Sequence, residues 1–166
     1  MQRLLSATVV AATLACVSIP SPTRAGIADS PLPVLLVGET TLHLYSVSGV
    51  ITLGGLDTFF SCTSTDTATV QVGVELFGGP GGAPTNDAVA TSLAVGAGAT
   101  VIFGTGAAAG ISISSNLGGG FSKGSARILA TSRKLVCTAF VADTGNVPPT
   151  SSWQLNIVKK KTQKGD

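Results

Sequence analysis

The chain has 166 residues, a formal net charge of +2, and 11% charged, 44% apolar and 5% aromatic residues. One domain's worth of chain with an ordinary apolar fraction excludes disorder driven by charge repulsion, and scarce aromatics with near-balanced charge disfavour a nucleic-acid binder. Gly, Ser, Thr and Ala take the place of the missing charges, a composition suited to β structure.

Residues 1–25 read as a cleaved signal peptide. Arg3 supplies the positive start, Leu4 to Ile19 an uncharged apolar run, Pro20 and Pro22 a break, and Thr23-Arg24-Ala25 a small-x-small cleavage site. Ser6, Thr8, Thr13 and Ser18 dilute a run already shorter than the roughly 20 residues of a membrane span, so no transmembrane span is expected in the mature chain. A second reading stays open. Thr13-Leu14-Ala15-Cys16 resembles a bacterial lipobox, with Thr13 where that motif usually has Leu, and the resemblance implies a domain lipid-anchored through Cys16.

Residues 26–33 are expected to form a flexible lead-in, since Pro31 and Pro33 refuse a central strand. A β domain over 34–158 follows. Val34 to Val37 is a short apolar, strand-like run. Thr41 to Val47 alternates, which places Leu42 and Leu44 on one face and His43 and Tyr45 on the other. Val50 to Leu53 stops at Gly54-Gly55. The most ordered pattern is Thr58 to Phe77: a strand through Cys62, a polar turn, then Val70, Val72, Val74 and Leu76 facing a core while Thr69, Gln71, Gly73 and Glu75 face water.

Gly78 to Asn86 is a loop by its density of Gly and Pro. Ala88 to Val95 reads as a helical turn or, preferably, a strand, and Thr100 to Phe103 as a strand. Ala107 to Ser114 is a weak strand and Asn116 to Gly120 a loop. Ser125 to Thr131 and Leu135 to Asp143 flank Ser132-Arg133-Lys134 as a hairpin with a charged tip. Trp153, Leu155 and Ile157 then alternate with Gln154 and Asn156 as a last strand with its apolar side inward, before a basic tail over 159–166. Seven to nine short strands and no amphipathic helix after the signal give an all-β fold, a single antiparallel β-sandwich.

Removal of residues 1–25 leaves two of three cysteines, and an even remainder in an oxidising compartment predicts a Cys62–Cys137 disulfide. In the chain-entropy model a loop of this length stabilises the fold by about 4 kcal/mol. Two cysteines on strands at this separation resemble the immunoglobulin-like layout. Those domains bury a Trp between the cysteines and place a Tyr two residues before the second. Here Trp153 follows Cys137 and residue 135 is Leu, so the resemblance implies a disulfide-stapled sandwich and carries over no functional residue. The layout also looks like that of small secreted bacterial proteins.

Chemistry-bearing motifs are few. Gly120-Phe121-Ser122-Lys123-Gly124 matches G-x-S-x-G, but the nucleophile elbow needs a strand-turn-helix context and a later histidine, and His43, the one histidine, comes earlier. His43 is expected on the exposed face or beside a sheet edge. No Gly-Lys-Ser/Thr follows Gly78 to Gly82, and no Cys or His spacing suits zinc, so no catalytic residue, metal ligand or cofactor is assigned. Asp143 to Asn146 fits turn chemistry better than calcium.

Charge is polarised along the mature chain. Residues 26–120 carry six acids and no Lys or Arg, and residues 121–166 carry eight bases and two acids, hence −6 and +6. Pairing across strands is one use of that pattern. Contact between Lys159, Lys160, Lys161 and Lys164 and an acidic surface or envelope protein is another. The resulting expectation is a secreted or periplasmic, non-catalytic binding or structural module. The alternatives are a surface subunit that self-assembles by strand addition, using 34–37 and the charge-free span 88–122, or a lipoprotein.

Overall fold

The computed structural model describes residues 26–107, 110–118, 120 and 122–161. The expected signal peptide with Cys16, and Lys164 of the tail, lie outside the described residues. The described chain is all-β, with ten strands: β1 (Leu42–Leu53), β2 (Leu56–Ser64), β3 (Val70–Gly78), β4 (Leu93–Val95), β5 (Thr100–Gly104), β6 (Ser115–Asn116), β7 (Lys123–Ala130), β8 (Leu135–Asp143), β9 (Ser152–Gln154) and β10 (Ile157–Lys159). No helix among the described residues is long and apolar enough to cross a membrane.

The main path runs β4-β3-β7-β1-β2-β5-β6, with β10 added to β1, and with β8 on β2 carrying β9. All pairs are antiparallel except β5 with β6, so the sheet is mixed and nearly closed, barrel-like rather than a clear sandwich. The physical reason lies in β1. Its register against β7 shifts twice, at His43/Tyr45 and at Ser48/Val50. Each bulge bends the strand and adds twist. Gly49, with φ of 79°, takes the left-handed conformation at the second. Having bent, β1 turns through Gly54-Gly55, both at positive φ, and pairs Thr52 with Asp57 and Leu53 with Leu56 of β2. Two expected layers thus become one continuous sheet.

The first bulge also overturns a face assignment. Leu44 is the extra residue, so Tyr45 pairs with Ile128 and turns inward, where its hydroxyl donates to the Leu135 carbonyl at 2.6 Å. His43 and Ser46 then share the outer face. The core gathers Val70, Val72, Val74 and Leu76 of β3, Ala126 and Ile128 of β7, Phe60 and Cys62 of β2, Phe103 of β5, and Leu135 and Ala139 of β8. The inward set on β3 is the one expected from the alternation, and β8 turns its Leu135/Ala139 side to the core.

The Cys62–Cys137 disulfide is present and sits differently from an immunoglobulin-like bridge. The two residues are direct partners on adjacent strands β2 and β8, 4.2 Å apart at Cα, the short spacing of a non-hydrogen-bonded pair. It ties neighbours within the sheet, not two layers. The expected hairpin across Ser132-Arg133-Lys134 is a crossover: β7 pairs with β1 and β3, whereas β8 pairs with β2 and β9. Asp66 holds this crossover, accepting from Ser132 Oγ at 2.5 Å and Lys134 Nζ at 3.3 Å.

Trp153, expected in the core, is 54% exposed, because β9 is a three-residue edge strand with β8 as its one neighbour. The last strand splits at residues 155–156. Leu155 N–H donates to Ala139 O and Asn156 O accepts from Ser48 N–H, which carries the chain from β8's side to β1's. Ala88 to Thr91 is a helical turn capped by Asp87, whose carboxylate accepts from the backbone of Val89 and Ala90, and β4 begins only at Leu93. Residues 107–114 form no strand where described, and Val34–Val37 enters a turn closed by Glu39 N–H on Leu36 O.

The outer face of β3, expected to meet water, is covered. Leu35 packs over Gly73, where an added Cβ would lie 2.9 Å from Leu35 Cδ2 and 3.1 Å from Ala88 O. Glu75 and Phe77 are buried beside it. Leu35 is joined in this cover by the lead-in, whose carbonyls at Ile27, Ser30 and Pro31 accept from Arg127 Nη1 and Nη2 at 3.4, 2.9 and 2.8 Å.

Candidate functional site

The first bulge of β1 sets the geometry of a cationic corner. It points His43 and Ser46 outward together, with His43 Nε2 3.0 Å from Ser46 Oγ. Past β10 the chain is pinned by Lys160 N–H on Leu44 O at 2.8 Å, which brings Lys160 Nζ to 3.4 Å from His43 Nδ1. An ammonium only donates, so Nδ1 accepts and Nε2 carries the ring proton toward Ser46. Burial, then Lys160, then Arg127 lower the His43 pKa from 6.5 to about 4, so the ring is neutral at pH 7.

Arg133 from the crossover and Lys161 complete a pocket of about 250 Å³, with Leu32, Thr41 and Leu42 as its remaining walls. No acid among the described residues lines it. Glu75 is engaged with buried Arg127, and Asp66 with Ser132 and Lys134. These two ion pairs each join an acid from residues 26–120 to a base from residues 121–166, Glu75–Arg127 across neighbouring strands and Asp66–Lys134 between two connections. Neither Lys160 nor Lys161 is in an ion pair among the described residues. Lys159 is exposed on β10, with its ammonium 5.9 Å from the Tyr45 ring centroid.

The remaining candidates resolve into structure. Ser122 is exposed and is followed directly by strand β7 rather than a helix, with its carbonyl accepting from Thr52 N–H. His43 pairs with Leu129 near the far end of β7, about 20 Å along the strand, so no nucleophile and base meet. Gly124 of the same motif serves the backbone: a Cβ there would collide with the Phe77 carbonyl. Asp143 accepts from Asn146 Nδ2, from Thr150 N–H and Oγ1, and from Ser151 N–H, bonds that hold its pKa at about 2 with Asn146 foremost. Its oxygens fasten the turn. Among the described residues no three His, Cys, Asp or Glu side chains group as metal ligands.

A second, mostly apolar depression of about 670 Å³ lies at the glycine-rich end of β1, β3 and β7, walled by Ile27, Ile51, Phe77, Gly79 and Lys123 among others. The sequence had pointed to Lys159, Lys160 and Lys161 as a linear cluster. It had not joined them to His43 and Arg133, because a bulge and a crossover make that contact and neither leaves a period in the sequence. Comparison with protein-family models, with curated proteins and with solved structures gives no match.

Proposed function

We propose that the chain is a secreted or periplasmic, non-catalytic β domain that acts as a binding or structural module and meets an acidic envelope surface through its C-terminal cationic edge. The observation that carries this reading is the exposed run Lys159, Lys160 and Lys161, none of which is in an ion pair among the described residues. Surplus positive charge gathered at one edge favours an anionic partner and steers its approach. The fold behind that edge is an all-β, disulfide-tied mixed sheet. Export is tested by N-terminal sequencing of the cell-free or periplasmic form. A start at Gly26 supports cleavage after Ala25, a lipidated Cys16 supports the membrane-anchored alternative, and an unprocessed cytoplasmic chain overturns both.

Self-assembly by strand addition is the second reading, and one observation favours it: β9 is an open edge carrying Trp153 at 54% exposure. Residues 34–37, an expected donor, place Leu35 over Gly73. Size-exclusion chromatography of residues 26–166 separates the readings, a concentration-dependent oligomer lost in Trp153→Ser favouring assembly.

A further inference from the structure

We propose that cleavage after Ala25 sets a latch: the new Gly26 ammonium forms an ion pair with Asp29 and fastens residues 26–33 over the Arg127 face of the sheet. The inference rests on the reading of export by cleavage after Ala25 and goes beyond it by giving that processing a structural consequence. The covalent step is hydrolysis by a signal peptidase. Water adds across the Ala25–Gly26 amide, its hydroxyl goes to the Ala25 carbonyl carbon, and the Gly26 nitrogen leaves as an amine. Such an amine is mostly protonated at neutral pH, so the cut creates a positive charge where the precursor has none.

The receiving geometry is in place. Gly26 N donates to Asp29 Oδ1 at 2.7 Å. Gly26 is held there through its own carbonyl, which accepts from Asp29 N–H at 3.3 Å, Ser30 N–H at 3.0 Å and Ser30 Oγ at 2.8 Å, so the position does not depend on Ala25. The same turn presents the Ile27, Ser30 and Pro31 carbonyls to the Arg127 guanidinium. In the precursor the nitrogen is a neutral amide with one hydrogen. After cleavage it is a cation with three, facing a carboxylate, and charge-assisted hydrogen bonds are roughly twice as strong as neutral ones. Two cations on β7 lie near this turn: Lys123, which walls the same depression as Gly26, and Arg127, which is paired with Glu75 of β3. Asp29 is the carboxylate in contact with the nitrogen, and it decides the local balance.

Processed protein beginning at Gly26 is labelled on glycine nitrogen, and its α-amine is titrated by NMR beside Asp29→Asn, which keeps the shape and removes the charge. The amine pKa is expected to fall by about half a unit in the variant. That difference cancels every other charge, Lys123, Lys164 and Asp166 included. Lead-in opening is the second readout. Thermolysin cleavage ahead of Leu32 and Val34, which are 41% and 61% exposed, should run about threefold faster in Asp29→Asn. It should run equally fast in a chain that keeps Thr23-Arg24-Ala25 ahead of Gly26, where the nitrogen stays an amide. An amine pKa unmoved by Asp29→Asn, in protein whose N-terminus reads Gly-Ile-Ala-Asp, overturns the ion pair and spares the export reading. A moved pKa with unchanged cleavage rates overturns the latch. A mature N-terminus at any other residue overturns both the latch and cleavage after Ala25.

Discussion

Glu75 on β3 and Arg127 on β7 are register partners whose side chains, 6% and 1% exposed, form an ion pair on the face of the sheet that the alternation assigns to water. The guanidinium also reaches the carbonyls of Ile27, Ser30 and Pro31 and lies 5.2 Å from the Phe77 ring centroid. A charge buried this far needs every donor satisfied, and the lead-in supplies the acceptors. Residues 26–33 are thereby tied to β7 by side-chain chemistry rather than by sheet pairing.

The two partners should fail differently. Glu75→Gln leaves a buried cation short of its counter-charge, and Arg127→Met leaves a buried carboxylate, each costing about 3–5 kcal/mol in urea unfolding. Only Arg127→Met also frees the three lead-in carbonyls, so limited proteolysis between residues 26 and 34 should accelerate in that variant and not in Glu75→Gln. Equal protection of the lead-in in both would mean that Arg127 does not hold it.

Gly73→Ala should cost about 1–3 kcal/mol, because the new methyl meets Leu35 and the Ala88 carbonyl. Gly145→Ala, with nothing within 4 Å of the added carbon, should be near neutral. Gly124→Ala should be the worst of the three, since the obstacle is the Phe77 backbone, and low soluble yield is expected. Thermal melts rank the set, and a stable Gly124→Ala would contradict the close approach of β7 to β3.

Non-reducing mass spectrometry should find Cys62 linked to Cys137. Replacing both with Ala should cost about 2–4 kcal/mol without changing the far-ultraviolet circular dichroism, because nine register pairs between β2 and β8 remain. Two thiols that alkylate in the native protein would contradict the bridge.

Stability should fall as pH drops from about 6.5 to about 4, through His43. Its folded pKa lies below the unfolded value, so over that window the unfolded chain binds the proton that the folded ring refuses. Asp57 acts oppositely. Burial raises its pKa, against a Thr105 hydroxyl bond, so its contribution is lost as pH rises through the folded value. Subtracting the profile of His43→Gln from that of the parent isolates the histidine, and a flat difference between pH 4 and 6.5 would contradict its placement. Asp66 and Asp143, both held at about 2, stabilise above the ordinary carboxylate range and lose that contribution only in stronger acid.

Legibility in the sequence followed the period of two. The inward face of β3, the loop at residues 78–86 and the cysteine pairing were all readable, because alternation, glycine and proline density and an even cysteine count are local signals. Tyr45 was misplaced because a bulge resets alternation without altering composition. Glu75 was assigned to water because burial by a distant lead-in has no signature on the strand it covers. The crossover at 132–134 looked like a hairpin since charged turn residues serve both. For the same reasons the cationic corner was half visible: its lysines are contiguous, whereas His43 and Arg133 join them only through tertiary structure.

The most direct test of the account is salt-dependent retention of residues 26–166 on the native envelope fraction, with Lys159→Gln/Lys160→Gln/Lys161→Gln alongside. The account predicts retention at low salt that falls as ionic strength shortens the reach of the charges, and at least a tenfold loss in the triple variant. Undiminished retention of that variant across the same salt range would contradict a cationic edge as the binding surface.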